Sequence, residues 1–148
     1  IFPAGHQFKW GKGELVRSGT DVTLFGTGMM TSKCLEAADL LQSENISAEV
    51  VHLASIKPID RALIVESVTR TGCAVTAENA SINGGFGAAV SEVLAEECPV
   101  PMQRIGVRDR WIDSGGINEL LGEHGMQPAD IARAAKTAMQ RREQRQPQ

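Results

Sequence analysis

The segment that most constrains this chain runs from Ala74-Val75-Thr76-Ala77 through Glu78-Asn79 to Gly84-Gly85-Phe86-Gly87-Ala88-Ala89-Val90. A strand-like apolar run ends in a carboxylate, and glycines then lead into a helix-like run. A junction of this kind makes a functional edge in an α/β sheet, because loops leave the strands there and helices start behind them. Read alone, the glycines suit a phosphate held on free backbone N–H groups at a helix start.

The rest of the chain repeats the alternation. Leu15-Val16-Arg17 predicts a short strand closed by Ser18-Gly19, and Val22-Thr23-Leu24-Phe25 predicts a buried one ended by Gly26-Thr27-Gly28. Met30, Cys34, Ala37, Ala38 and Leu41 then recur at helical spacing, opposite Ser32, Glu36, Asp39 and Ser43. Residues 48–53 predict the next strand. Asp60 can cap a following helix, Ile59 and Ile64 have the spacing of a hydrophobic staple, and Gly72 fits the helix stop. Cys73 to Ala77 reads as a strand, and Val90, Val93 and Leu94 form the stripe of the helix after the glycines. Met102 to Val107 predicts a further strand, Leu120-Leu121 a short helix, and Pro128 the first turn of a last helix with Ile131, Ala134, Ala135 and Ala138 inside. The order predicts a mainly parallel sheet with helices on both faces. The first strand breaks the alternation and is expected to run antiparallel.

A length of 148 residues suits one domain with a real core. The net charge of −3 argues against nucleic acid or an anionic membrane as partner. The basic residues Lys136, Arg141, Arg142 and Arg145 read as a solvated helix end, favourable to the helix dipole. Three cysteines, Cys34, Cys73 and Cys98, form no CxxC pair, so buried thiols are expected rather than a disulfide framework or zinc site. No apolar run nears the roughly 20 residues of a membrane span, and no signal peptide is visible; the cytoplasm is the expected compartment. Ile1 to Trp10 reads as a connector, with Phe2, Phe8 and Trp10 needing cover, and the chain reads as a piece of a longer polypeptide. A polar, frayed tail is expected over 141–148.

Few residues offer chemistry. Glu78 could act as a general acid or base if buried beside a partner; it could equally cap the loop that follows or pair with a basic residue across a subunit boundary. His6, His52 and His124 are dispersed, which argues against a metal site. Neither a GxSxG elbow nor a Walker-type loop is present. Gly26-x-Gly28 and Gly85-x-Gly87 are incomplete dinucleotide fingerprints, and close helix–strand packing explains them as well. Asp109-Arg110-Trp111 follows the last strand, where Arg and Trp suit a protein contact; a tryptophan folded over its own domain is the competing reading. Lys57, in Ile56-Lys57-Pro58-Ile59-Asp60, is open in the same way, as contact residue or solvated loop charge.

Six motifs in order resemble the C-terminal domain of the transketolase family, most like the C-terminal section of bacterial transketolases made as two chains. They are Gly11-Lys12-Gly13 with residues 15–23, Gly26-Thr27-Gly28-Met29, Ser55-Ile56-Lys57-Pro58-Ile59-Asp60, Glu78-Asn79 with Gly84-Gly85-Phe86-Gly87, Arg104-Ile105-Gly106-Val107-Arg108-Asp109, and Ser114-Gly115 with Leu120-Leu121 and Gly125-Met126. The resemblance implies a three-layer α/β/α fold with a five-strand, mostly parallel sheet over residues 11–140. It implies the C-terminal part of an enzyme that moves a two-carbon ketol unit between sugar phosphates, with thiamine diphosphate and a divalent metal (Mg2+, or Ca2+ or Mn2+). In that family the cofactor lies between pyrophosphate-binding and pyrimidine-binding domains. Catalytic, cofactor and metal residues are therefore expected outside this chain, which would pack on the pyrimidine domain and help build a homo-oligomer. The implied contact edge is Lys57, Asp60, Glu78, Asn79, Gly84, Gly85, Gly87, Asp109, Arg110 and Trp111. Deoxyxylulose-phosphate synthase and the β subunit of 2-oxoacid dehydrogenase E1 share such a domain, often with a second glutamate where this chain has Asn79. A free-standing nucleotide- or effector-binding regulatory module is the reading from a different class.

Overall fold

The computed structural model describes residues 1–145. Five strands, β1 (Gly13–Arg17), β2 (Val22–Gly26), β3 (Ala48–Leu53), β4 (Ala74–Ser81) and β5 (Met102–Val107), form one sheet in the order β1-β3-β2-β4-β5. β1 pairs antiparallel with β3, and every other pairing is parallel. The helices are α1 (Met30–Ser43), α2 (Arg61–Thr71), α3 (Phe86–Glu97), α4 (Ile117–Glu123) and α5 (Pro128–Glu143). One apolar cluster joins α1 and α5 to one face of the sheet through Leu24, Val50 and Val75; the other joins α2 and α3 to the opposite face through Phe25 and Val51. The expected three-layer sheet with an antiparallel first strand is what the chain adopts.

Burial explains the central strand: all of β2 is inaccessible, as a parallel strand covered by helices on both faces must be. Local signals set the helix ends. The Asp60 carboxylate accepts the Leu63 N–H (3.3 Å) at the start of α2 and the Gly13 N–H (3.1 Å) at the start of β1. Gly72 closes α2 in the left-handed region with φ +73°.

Three expectations are corrected. β4 does not stop at Ala77 but continues to Ser81, past a break in its pairing with β5 between Ala77 and Ser81. Gly106 makes room for that irregularity, since a Cβ there would lie 2.9 Å from the Ala80 carbonyl oxygen. The polar tail starts later than expected, because α5 runs through Glu143; residues 146–148 lie outside the described residues. Nor is the basic run uniformly solvated. Arg142 is half-buried and donates to the carbonyls of Asp21 (2.7 Å) and Thr71 (2.6 Å). It thereby neutralises the negative end of the α2 dipole.

Cys34 and Cys73 are buried thiols as expected, whereas Cys98, expected buried too, is partly exposed. Burial pushes Cys34 up to about 12 and Cys73 up to about 11, the latter against the pull of Arg142. Because both thiols titrate higher folded than unfolded, their contribution to stability is complete below about pH 9 and is lost as pH rises through the folded values. Two outcomes follow: a thiol reagent at pH 8 labels Cys98 first and Cys34 last, and the urea midpoint falls between pH 8 and pH 10.5. Equal labelling rates for all three would show that these cores do not exclude the reagent.

Candidate functional site

Parallel pairing brings the C-terminal ends of β2 to β5 to one edge of the sheet, and antiparallel β1 adds its N-terminal end beside Leu53. The segments 1–12, 27–29, 54–60, 82–85 and 108–116 therefore gather there. In open α/β sheets this is the edge that carries function.

Its centre is Glu78, 2 % exposed. Gly85, the residue before α3, has no side chain to cap the helix. Glu78 reaches across from β4 instead: Oε2 accepts the Phe86 N–H (2.7 Å) and Oε1 the Gly87 N–H (2.8 Å). A carboxylate is favoured there by the helix dipole and satisfies two of the unpaired donors. The glycines exist to let it in. A Cβ on Gly87 would lie 3.1 Å from Glu78 Oε1 and one on Gly106 would lie 3.0 Å from Glu78 Cγ, while one on Gly85 would collide with Glu78 Oε2. Gly84 turns the chain with φ +69°. Arg104 ties the loop down by donating to the Ile82 carbonyl (2.9 Å). Of the roles open to Glu78 in the sequence, the geometry selects capping. The phosphate seat at this helix start is filled by the protein's own carboxylate.

The expected edge residues divide. Asp60, Glu78 and Gly87 are buried and Gly85 is half-buried, with both carboxylates engaged inside the domain. Lys57, Asn79, Gly84, Asp109, Arg110 and Trp111 are exposed. Trp111 is 99 % exposed, which removes the reading in which it folds over its own domain. Arg110 turns back, its Nε donating to His124 Nδ1 (3.1 Å) and its terminal nitrogen to the Glu123 carbonyl (2.9 Å). With Ser81, Val107, Asp109 and Ile112, these two residues line an open cleft of about 560 Å³.

The sequence reading missed how much apolar surface shares this edge. Phe8, Trp10, Met29, Ile56 and Ile112 are exposed as well as Trp111, each in one of the segments at this edge. It also missed Arg104, Gly106 and His124 as supports; the glycine interrupting β5 was the only available signal. Phe2, by contrast, finds cover: it stacks on His6 with centroids 4.3 Å apart and tilts against His52 at 5.3 Å. His52 shares a hydrogen bond with the Thr31 hydroxyl (2.7 Å), and burial lowers its pKa against the pull of Glu14.

Among the described residues no group of His, Cys, Asp and Glu side chains is placed to hold a metal ion, and no helix is long and apolar enough to cross a membrane.

Comparison with known proteins places this geometry. Residues 11–131 match the model of the transketolase C-terminal domain. The chain is 42 % identical over 136 residues to the 6-deoxy-6-sulfo-D-fructose transketolase subunit SqwH of Clostridium sp. (strain MSTE9), covering 92 % of this chain and 42 % of that protein. It is 40 % identical over 129 residues to the 1-deoxy-D-xylulose-5-phosphate synthase of Heliobacterium modesticaldum, covering 85 % of this chain and 20 % of the synthase. A solved split-gene transketolase, described as an inactive β4 tetramer, superposes with a TM-score of 0.91 at 44 % identity, over 95 % of this chain and 46 % of that one. The chain thus spans less than half the length of these relatives. It belongs to the transketolase C-terminal domain family.

The Glu78 cap is testable on its own. Glu78→Gln places an amide donor against a backbone donor and is expected to cost about 2 kcal/mol in urea unfolding. A loss under about 0.5 kcal/mol would mean that the carboxylate does not hold the start of α3.

Proposed function

We propose that this member of the transketolase C-terminal family docks through the C-terminal edge of its sheet onto the catalytic domains of a thiamine diphosphate-dependent transketolase. The observation that carries the reading is Trp111, wholly exposed on an edge where three other segments also expose apolar side chains. Clustered exposed apolar side chains of this kind mark interaction sites, and tryptophan beside arginine is the composition of interface anchors. The occupant is the pyrimidine-binding domain or its twin in a second subunit, within a homo-oligomer. A tetrameric split-gene relative and a relative described as a subunit support that assembly.

The complete enzyme would transfer a two-carbon ketol unit between sugar phosphates. Thiamine diphosphate supplies that chemistry, with Mg2+ or a similar divalent ion on its diphosphate. This domain's residues do not fit the cofactor: the helix start that could take a phosphate is filled by Glu78, and the described carboxylates and imidazoles do not converge on a cation position. In this reading the catalytic residues lie in the partner domains. The same filled seat weighs against the nucleotide-binding module. Unpaired thiols suit a reducing compartment, and we place the enzyme in the cytoplasm. A synthase-type reaction is the second reading, favoured by the 40 % identity to a deoxyxylulose-phosphate synthase.

Trp111→Ala in the natural enzyme is expected to raise the dissociation constant of the assembly at least about ten-fold in analytical ultracentrifugation. Thermal unfolding of the domain should not move, because Trp111 is 99 % exposed and contributes little to its core. An unchanged dissociation constant would remove this edge from the interface.

A further inference from the structure

A second cavity lies between β5 and α5. It measures about 280 Å³ and is lined among others by Gln103, Arg108, His124, Asp130, Arg133 and Thr137. His124 is 8 % exposed. Its Nδ1 accepts the hydrogen bond from Arg110 Nε, so in the neutral ring the proton sits on Nε2. That Nε2 is buried and has no partner among the described residues. A buried N–H left unsatisfied is costly, and its presence in a wall asks for an acceptor.

The other groups sharpen the request. Asp130 is the one carboxylate among the lining residues named above, and both its oxygens are committed. Oδ1 accepts from Arg133, and Oδ2 accepts the Gln127 N–H (3.0 Å) in the capping box of α5. The Thr137 hydroxyl proton goes to the Arg133 carbonyl (3.1 Å). Arg108 forms no ion pair among the described residues and donates only to the Arg104 carbonyl (3.3 Å), which leaves most of its guanidinium donors open. The unspent donors in this wall are the His124 Nε2–H and the guanidinium of Arg108, with Arg133, already paired to Asp130, beside them, while the Gln103 amide oxygen is left as an acceptor. A water could take one such donor. An oxyanion takes several at once, with charge to match.

We propose that this cavity is a binding site for a phosphate-class oxyanion, an inorganic phosphate or a small phosphate monoester, held by His124 Nε2–H and Arg108. The site shares the Arg110–His124 hydrogen bond with the docking edge, but its proposed anion contacts, His124 Nε2 and Arg108, are not among the docking residues, so phosphate binding and assembly are read out separately.

The test is a titration of the 15N-labelled chain, followed through the imidazole nitrogens of His124. Inorganic phosphate forms one arm and glycerol 3-phosphate the other, each at ionic strength fixed with chloride. Saturable shifts of Nε2, and at least about ten-fold weaker binding in Arg108→Ala, are expected. Arg17→Ala, which removes an arginine paired with Asp39 on α1, should bind as the wild type does. Tighter binding in the glycerol phosphate arm would identify a monoester site, and equal or tighter inorganic phosphate a site for the free ion. Shifts that do not saturate, that chloride reproduces, or that Arg108→Ala and Arg17→Ala weaken alike would overturn the proposal.

Discussion

The buried carboxylate of Glu78 at the start of α3 is the interaction on which this edge of the fold depends. A helix beginning with Gly85-Phe86-Gly87 has no side chain of its own to satisfy its first N–H groups. Glu78 supplies both acceptors from the neighbouring strand. To deliver them, β4 must run past Ala77, break register with β5, and lie against residues without side chains. Gly85, Gly87 and Gly106 are three parts of one solution, since a Cβ on any of them would crowd the same glutamate. Arg104 completes it by holding the Ile82 carbonyl. A glycine-rich loop that looks built to approach a ligand is built to approach its own carboxylate.

That substitution redirects the edge. In an open α/β sheet the strand ends, the helix N-termini and the crevice between them usually receive a small molecule. Here the helix start is neutralised internally, and Asp60 is likewise committed to α2 and β1. What remains exposed includes apolar and aromatic side chains set in loops from four segments. Binding at such a surface is driven by apolar area and a few large anchors rather than by charge. The proposed partner of this sheet edge is accordingly another protein surface rather than an anion.

Much of the fold was legible because local rules dictated it. Asp60 as cap, Gly72 as stop and the strand–helix alternation each follow from a few adjacent residues. The site was legible only as a place. That Glu78 mattered could be read from its position before the glycines. Its role could not, because the hydrogen bonds span eight and nine residues and depend on Gly106 from another strand. Arg142 shows the same limit. In sequence it is one of a run of cations at a helix end. In space its guanidinium reaches carbonyls 71 and 121 residues away, across the seam between α2, β2 and α5. Charge runs report composition; which member is buried is set by tertiary approach.

Trp111 and Arg110 carry this point further. They are neighbours with the same statistical claim to an interface, and the fold uses them differently. Arg110 folds back to His124 and the end of α4, which fixes the loop's path. Trp111 is left with nothing of its own domain to touch. A tryptophan held out on a loop whose preceding residue is anchored loses less freedom on docking than one on an untethered loop, so more of its buried area is realised as affinity. In the proposed contact the arginine would serve by holding the backbone from which the tryptophan projects, and it need not touch the partner to do so.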